Sequence, residues 1–207
     1  MRRRPSVQKA FDEVRFGTTR ILNLREGLPT GSQAVQRAEG WLRAKQIERV
    51  REVLVVTGRG NGSLAGLPVI RTEIQKLLSR LRRAGVVGQV QEHTPGSVVV
   101  TLAPLRALFE AASRDTRAKE RPGRALTAVA PPALAALDPG TRAALHRLAI
   151  RGLETLGVRT PTKLMVDGEM NRQFALLIGA IRHAEFSEQA FTAAVERAVD
   201  EYDEEGN

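Results

Sequence analysis

The sequence predicts an α/β domain of order β-α-β-α-β-β, a two-layer sandwich, followed by an all-α C-terminal module. Apolar runs of strand length alternate with longer stretches whose apolar residues recur every three or four positions. Two strands, each followed by a helix, precede a tight Thr-Pro-Gly turn between two further strands. Beyond Pro104 only helical periodicity remains.

Residues 20–27, RILNLREG, read as the first strand. Ile21, Asn23 and Arg25 point one way, Leu22 and Leu24 the other. Thr30 with Gln33 forms a capping box. The helix it opens carries Val35, Ala38 and Leu42, with Trp41 alongside, through about Arg49. Trp41 reads as core. Glu52 to Thr57 is nearly all apolar, a strand buried on both faces. Pro68 suits the first turn of a second helix. Ile70, Ile74, Leu77, Leu78 and Leu81 form its buried face, and Gly85 ends it. Its other face carries Arg71, Lys76, Arg80, Arg82 and Arg83.

Strands Val86–His93 and Ser97–Leu102 follow, joined at Thr94-Pro95-Gly96. A helical segment from Leu105 to Lys119 leads into ERPGRALTAVAPP, a linker composition. Three helices are then expected: about Thr141–Leu156 with Gly157 after it, about Thr162–His183, and one capped by Ser187. The last runs into an acidic end with Glu196, Asp200, Glu201, Asp203, Glu204 and Glu205. That end reads as a frayed solvated terminus, or as a segment that masks the basic half. The organisation is a basic N-terminal extension over 1–19, the α/β domain over 20–104, a helix and linker over 105–133, and the helical module over 134–207.

Hydrophobic residues make up 42% of the 207, but aromatics only 4%, so the core must be aliphatic. With no cysteine, disulfides, thiolate zinc sites and cysteine nucleophiles are excluded, and a reducing compartment fits. The start, MRRRPSVQKAF, lacks the apolar stretch of a secretory signal. The run Leu126–Leu137 contains two prolines and is too short to span a bilayer. A cytoplasmic protein without membrane contact is expected. His93, His146 and His183 show no ligand spacing.

The formal charge of +9 is unevenly spread. Residues 1–107 hold 19 Lys/Arg against 8 Asp/Glu, whereas residues 108–207 hold 13 against 15. Arginine dominates the basic half and suits bidentate phosphate contact. Such a half is the footprint of a nucleic-acid binder, or simply a solvated basic surface.

A helix joins the first two strands, so they should run parallel with a right-handed crossover. Their C-terminal ends and both helix N-termini then share one edge of the sheet. Asn23, Arg25 and Glu26 meet Thr57-Gly58-Arg59-Gly60-Asn61-Gly62 there. Helix N-termini and two arginines make this an anion-binding edge. A Walker loop fails, because no lysine follows the glycines. Gly60 to Ala65 fits G-x-G-x-x-A, but Gly66-Leu67-Pro68 delays the helix, and the strand after that helix enters a hairpin. The loop reads as a strand-to-helix connector or as a grip on a nucleic-acid backbone.

The stretch ILNLREGLPTGSQAVQRAEGWL, then VREVLVVTGRGNG, then SVVVTLAP resembles the Smr (small MutS-related) domain over about residues 20–103. That family opens with a Leu-Asp-x-His strand motif and carries a His-or-Thr-Gly-x-Gly loop, matched by Thr57-Gly58-Arg59-Gly60. The resemblance implies a fold like the C-terminal domain of bacterial initiation factor three. It also implies DNA or RNA binding and, in several members, endonuclease activity. Here Asn23 stands at the family's Asp and Arg25 at its His, although a Leu-Asp-Leu-Arg variant is known among MutS-like members.

Asn23 cannot take a proton and Arg25 stays charged. Glu26 is one local carboxylate, a poor set for magnesium or manganese. The expectation is therefore a backbone binder with lost or weakened endonuclease activity. Arg25 and Arg59 would contact phosphates, the N–H groups of Gly58, Gly60 and Gly62 would line the pocket, Thr57 would donate its hydroxyl, and Asn23 would orient a phosphate or water. Asn61 and Arg71 complete the contact set. One alternative is an active Mg- or Mn-dependent endonuclease with a rearranged site at Asn23, Arg25 and Glu26; only in that case is a metal cofactor expected. Another is a ribosome- or repair-associated adaptor whose residues 134–205 dock a protein.

Overall fold

The computed structural model describes residues 7–27, 29–58, 69–111, 132–181 and 187–205. It divides into two compact units, Met1–Ala103 and Pro104–Asn207. Arg59 to Pro68 and almost all of the expected linker lie outside the described residues.

The first unit is a four-stranded mixed sheet with helices. In order it comprises α1 (Val7–Phe16), a 3-10 turn (Thr18–Arg20), β1 (Ile21–Asn23), α2 (Gly31–Ile47), β2 (Glu52–Val56), α3 (Val69–Arg83), β3 (Val87–Thr94) and β4 (Ser97–Leu102). The strand order is β1-β2-β4-β3. β1 and β2 are parallel; β4 runs antiparallel to both β2 and β3. Val53, Leu54 and Val55 of the central β2 are fully buried, as an apolar strand covered on both faces requires.

The α2–α3 layer forms as its residues dictate. Thr30 Oγ1 accepts from Gln33 N at 3.3 Å, and Thr30 N donates to Gln33 Oε1 at 2.9 Å. Ala34, Ala38 and Leu42 bury one stripe of α2. Val35 and Trp41 are only half-buried: Ala34 takes the place expected of Val35, while Ala38 and Leu42 face inward as expected. Ile74, Leu77, Leu78 and Leu81 bury the matching face of α3. Gly85, at φ +72°, closes that helix.

Two elements of the first unit differ from the sequence reading. β1 ends at Asn23, and residues 24–27 form a turn. The cause is local: Asn23 Oδ1 accepts from Arg25 N at 3.1 Å, and Gly27 sits at φ +82°, which bends the chain out of the strand. The basic extension, in turn, contains α1, which packs on the outer face of the sheet. Phe16, 2% exposed, joins Leu54 and Val99 there, with Ile21 and Val56 at the margin. Asp12 Oδ1 lies 2.8 Å from His93 Nε2, and the Phe16 ring meets the His93 ring edge-on at 6.0 Å.

The second unit is helical. α4 (described over 106–111) and α5 (Pro132–Ala135) precede α6 (Pro139–Thr155), α7 (Lys163–Ile181) and α8 (Glu188–Glu205). Asp138 caps α6 by accepting from Gly140 N at 2.7 Å, and Ser187 caps α8 by accepting from Ala190 N at 3.1 Å. Leu145, Leu148, Leu177, Phe191 and Val195 form the core, where Phe174 and Phe191 pack edge-to-face at 5.3 Å.

Gly152 lets α6 approach α7, since a Cβ there would lie 2.8 Å from Gln173 Nε2. Buried Glu169 accepts from Gln173 Nε2 at 2.8 Å and is paired with Arg172, which reaches the Phe109 carbonyl at 2.7 Å. The acidic end is helix rather than a frayed tail. Glu201 accepts from Arg106 N at 3.0 Å, and Asp203 pairs with Arg151 at 3.0 Å. These contacts hold the last turns of α8 in place.

Candidate nucleic-acid interface

The parallel pairing of β1 and β2 places Asn23 beside Val56. Leu24 N donates to Val56 O at 2.9 Å, so the two strands leave the sheet side by side. Asn23 then serves the turn with both ends of its amide. Its Oδ1 accepts from Arg25 N, and its Nδ2 donates to Glu26 Oε1 at 2.8 Å.

Past β2 the chain is anchored on the β3–β4 hairpin. Thr57 N and Gly58 N both donate to Gly96 O at 2.9 Å. The Thr57 hydroxyl lies 3.4 Å from Gly96 O and from Gly58 O, and the residue is 7% exposed. Thr57 was expected to donate to a ligand, and Gly58 N–H to line the anion pocket. In the structure both groups point at one carbonyl, so they fix where the glycine loop starts. Gly60 and Gly62 lie outside the described residues, as do Arg59 and Asn61.

Gly58 has φ +81°, and a Cβ on it would lie 3.2 Å from Arg25 Cδ and 3.4 Å from Arg25 Nε. The arginine stem therefore lies against the bare backbone of the loop, which only glycine permits. Arg25 is exposed. No ion pair holds its guanidinium among the described residues.

The helix starts converge on the same edge: a Cβ on Gly31, the first residue of α2, would be 3.6 Å from both Val69 and Glu73 of α3. Arg71, from the first turn of α3, donates to Pro95 O at 2.8 Å and to Glu92 Oε1 at 2.9 Å. Its guanidinium is thus held by the hairpin. Asn23, Arg25, Glu26, Thr57 and Gly58 come together, and Arg71 stands at the turn that anchors them.

The role of Gly96 was not foreseen. The Thr-Pro-Gly turn was legible, but which loop its carbonyl would meet depends on a strand pairing across about 40 residues.

Chemically the edge can bind an anion. Arg25 supplies a permanent charge and planar donors, and helix N-termini add partial positive charge worth about 0.3–1 kcal/mol per contact. Its donor set does not fit a divalent cation: Glu26 is bonded to the Asn23 amide, and the nearby Glu73 and Glu92 are paired with Lys76 and Arg71. Among the described residues no group of three His, Asp or Glu is placed to hold a metal.

The second unit has a recess beside Phe109, Arg172 and Tyr202, of about 210 Å³ including its open mouth. That is below the ~300 Å³ at which small-molecule sites begin. Burial, with Glu110 and Glu169 nearby, pushes the Tyr202 phenol up to about 12. No helix among the described residues is long and apolar enough to cross a membrane.

No curated protein and no solved structure matches the chain. One family model does: the Smr domain matches residues 22–103, from the middle of β1 to the residue after β4.

Proposed function

We propose that the first unit binds the sugar-phosphate backbone of DNA or RNA at the edge where β1 and β2 end, and that this edge holds a phosphate without cleaving it. The Smr match supports a nucleic-acid partner. The observation that carries the reading is Arg25, whose exposed guanidinium is laid over Gly58 while Glu26 is taken by Asn23.

A phosphate at Arg25 gains a charge-assisted contact to a planar, bidentate donor. Gly58 leaves room for close approach of the backbone. Cleavage needs a group that takes a proton from the attacking oxygen. Asn23 and Arg25 cannot, and Glu26 is already engaged by the Asn23 amide.

The test uses a labelled duplex and a labelled single strand of the same sequence, as DNA and as RNA. Affinity should fall steeply between about 50 and 200 mM salt, because released counterions drive backbone binding. Arg25→Gln should weaken it, and no cleavage should appear with Mg²⁺, Mn²⁺ or EDTA. Flat salt dependence would overturn the binding reading. EDTA-sensitive cleavage that Glu26→Ala abolishes would replace it with a rearranged nuclease.

A further inference from the structure

Among the described residues, part of the basic excess of the first unit lies at the end of the sheet opposite the Arg25 edge. There α2 and α3 finish, β2 begins and β4 ends, and hydrogen bonds knit these termini together. Gly85 N donates to Arg82 O at 3.3 Å, Ala103 N to Val86 O at 3.0 Å, and Leu102 N to Arg51 O at 2.9 Å. Three bonds thus link the backbone of Arg82 to that of Arg51. Gln46, 2% exposed, closes the corner by donating to Gly85 O at 2.7 Å and Ala103 O at 3.2 Å.

Arg51, Arg82 and Arg83 are exposed at this end, and no carboxylate among the described residues pairs with any of them. The two nearby carboxylates are committed elsewhere: Glu48 to Lys45, and Glu52 to Arg15 at 3.5 Å. Cations in the last turn of α3 complement its dipole, which accounts for Arg82 and Arg83. It does not account for Arg51, which precedes a strand. Arg51 is six residues from Thr57 along β2, so the two ends stand about 20 Å apart at ~3.3 Å per residue. That span matches roughly six base-pair steps along one strand of a duplex.

We propose that Arg51, Arg82 and Arg83 form a second phosphate-contact patch that engages the same nucleic acid as the Arg25 edge. This rests on the backbone-binding reading above. The patch recognises the phosphodiester backbone, and arms with duplex DNA and duplex RNA distinguish the two sources.

The experiment titrates the full chain against duplexes of about 20 base pairs, long enough to reach both ends, at several salt concentrations. Wild type, Arg25→Gln, Arg51→Gln and the triple Arg51→Gln/Arg82→Gln/Arg83→Gln are compared, with thermal midpoints alongside. Each lost contact should lower the slope of log K against log salt by about 0.9, so the triple variant should lose between two and three. A triple variant with unchanged slope overturns the patch, even if its midpoint falls, since lost dipole complementation at Arg82 and Arg83 accounts for a lower midpoint without any phosphate contact. In that case a reduced slope in Arg25→Gln leaves the first reading intact. A reduced slope in the triple variant with no change in Arg25→Gln supports the patch and overturns the Arg25 contact.

Discussion

The two ends of the sheet are built from opposite materials. At one end the family motif lies on a loop start pinned by three groups to the Gly96 carbonyl, with one exposed arginine over a bare glycine. At the other, helix ends and strand ends are knitted by backbone bonds and by buried Gln46, and Arg51, Arg82 and Arg83 are exposed there. The contrast teaches that motif and charge are separable. On the proposed reading, the motif would mark where a phosphate comes close, and the charge where a polyanion is attracted at longer range.

The largest expected effect is at the far corner. Gln46→Ala removes the donor to two carbonyls, one of them buried with the side chain, and should cost about 2–4 kcal/mol of stability in urea unfolding, given ~1–3 for each buried group left unmade. If the loss is under about 0.5 kcal/mol, as for an ordinary surface change, Gln46 does not hold the corner together.

Gly58→Ala tests the near end. A side chain at φ +81° is strained, and its Cβ presses on Arg25 Cδ at 3.2 Å. The variant should lose about 1–2 kcal/mol of stability. Its affinity for a duplex should fall along with that of Arg25→Gln. Unaltered affinity would separate Arg25 from the loop.

The smallest effect concerns Arg71. Held by Pro95 O and Glu92, it should act on position. Arg71→Met should cost about 0.5–1 kcal/mol and leave the salt slope of binding unchanged. A slope reduced by about one would make Arg71 a phosphate contact instead.

Much of this was legible because it is local. The Thr30–Gln33 box, the apolar face of α3 and the closing role of Gly85 depend on neighbours within one or two turns. The meeting of Arg25 with Gly58 was legible one step further out, since a helix between two strands forces them parallel. What stayed hidden depends on distant partners. The apolar residues Val7, Phe11 and Val14 of α1 are exposed at 73%, 66% and 87%, while Phe16 is the one that enters the core. Periodicity alone would have docked the wrong face. β1 stops where an asparagine side chain finds a backbone N–H, an option that alternation of apolar residues does not register. The direction of Gly96 O follows from β-sheet register, which no single stretch contains.

Trp41 is the chain's one tryptophan and Tyr202 its one tyrosine, and they fall in different units. Each half of the molecule therefore carries its own optical reporter. Tryptophan emission follows the sheet, and phenol absorbance follows the helices, in the unaltered chain. Two curves recorded in one denaturation reveal whether the halves melt together or apart, with no label added.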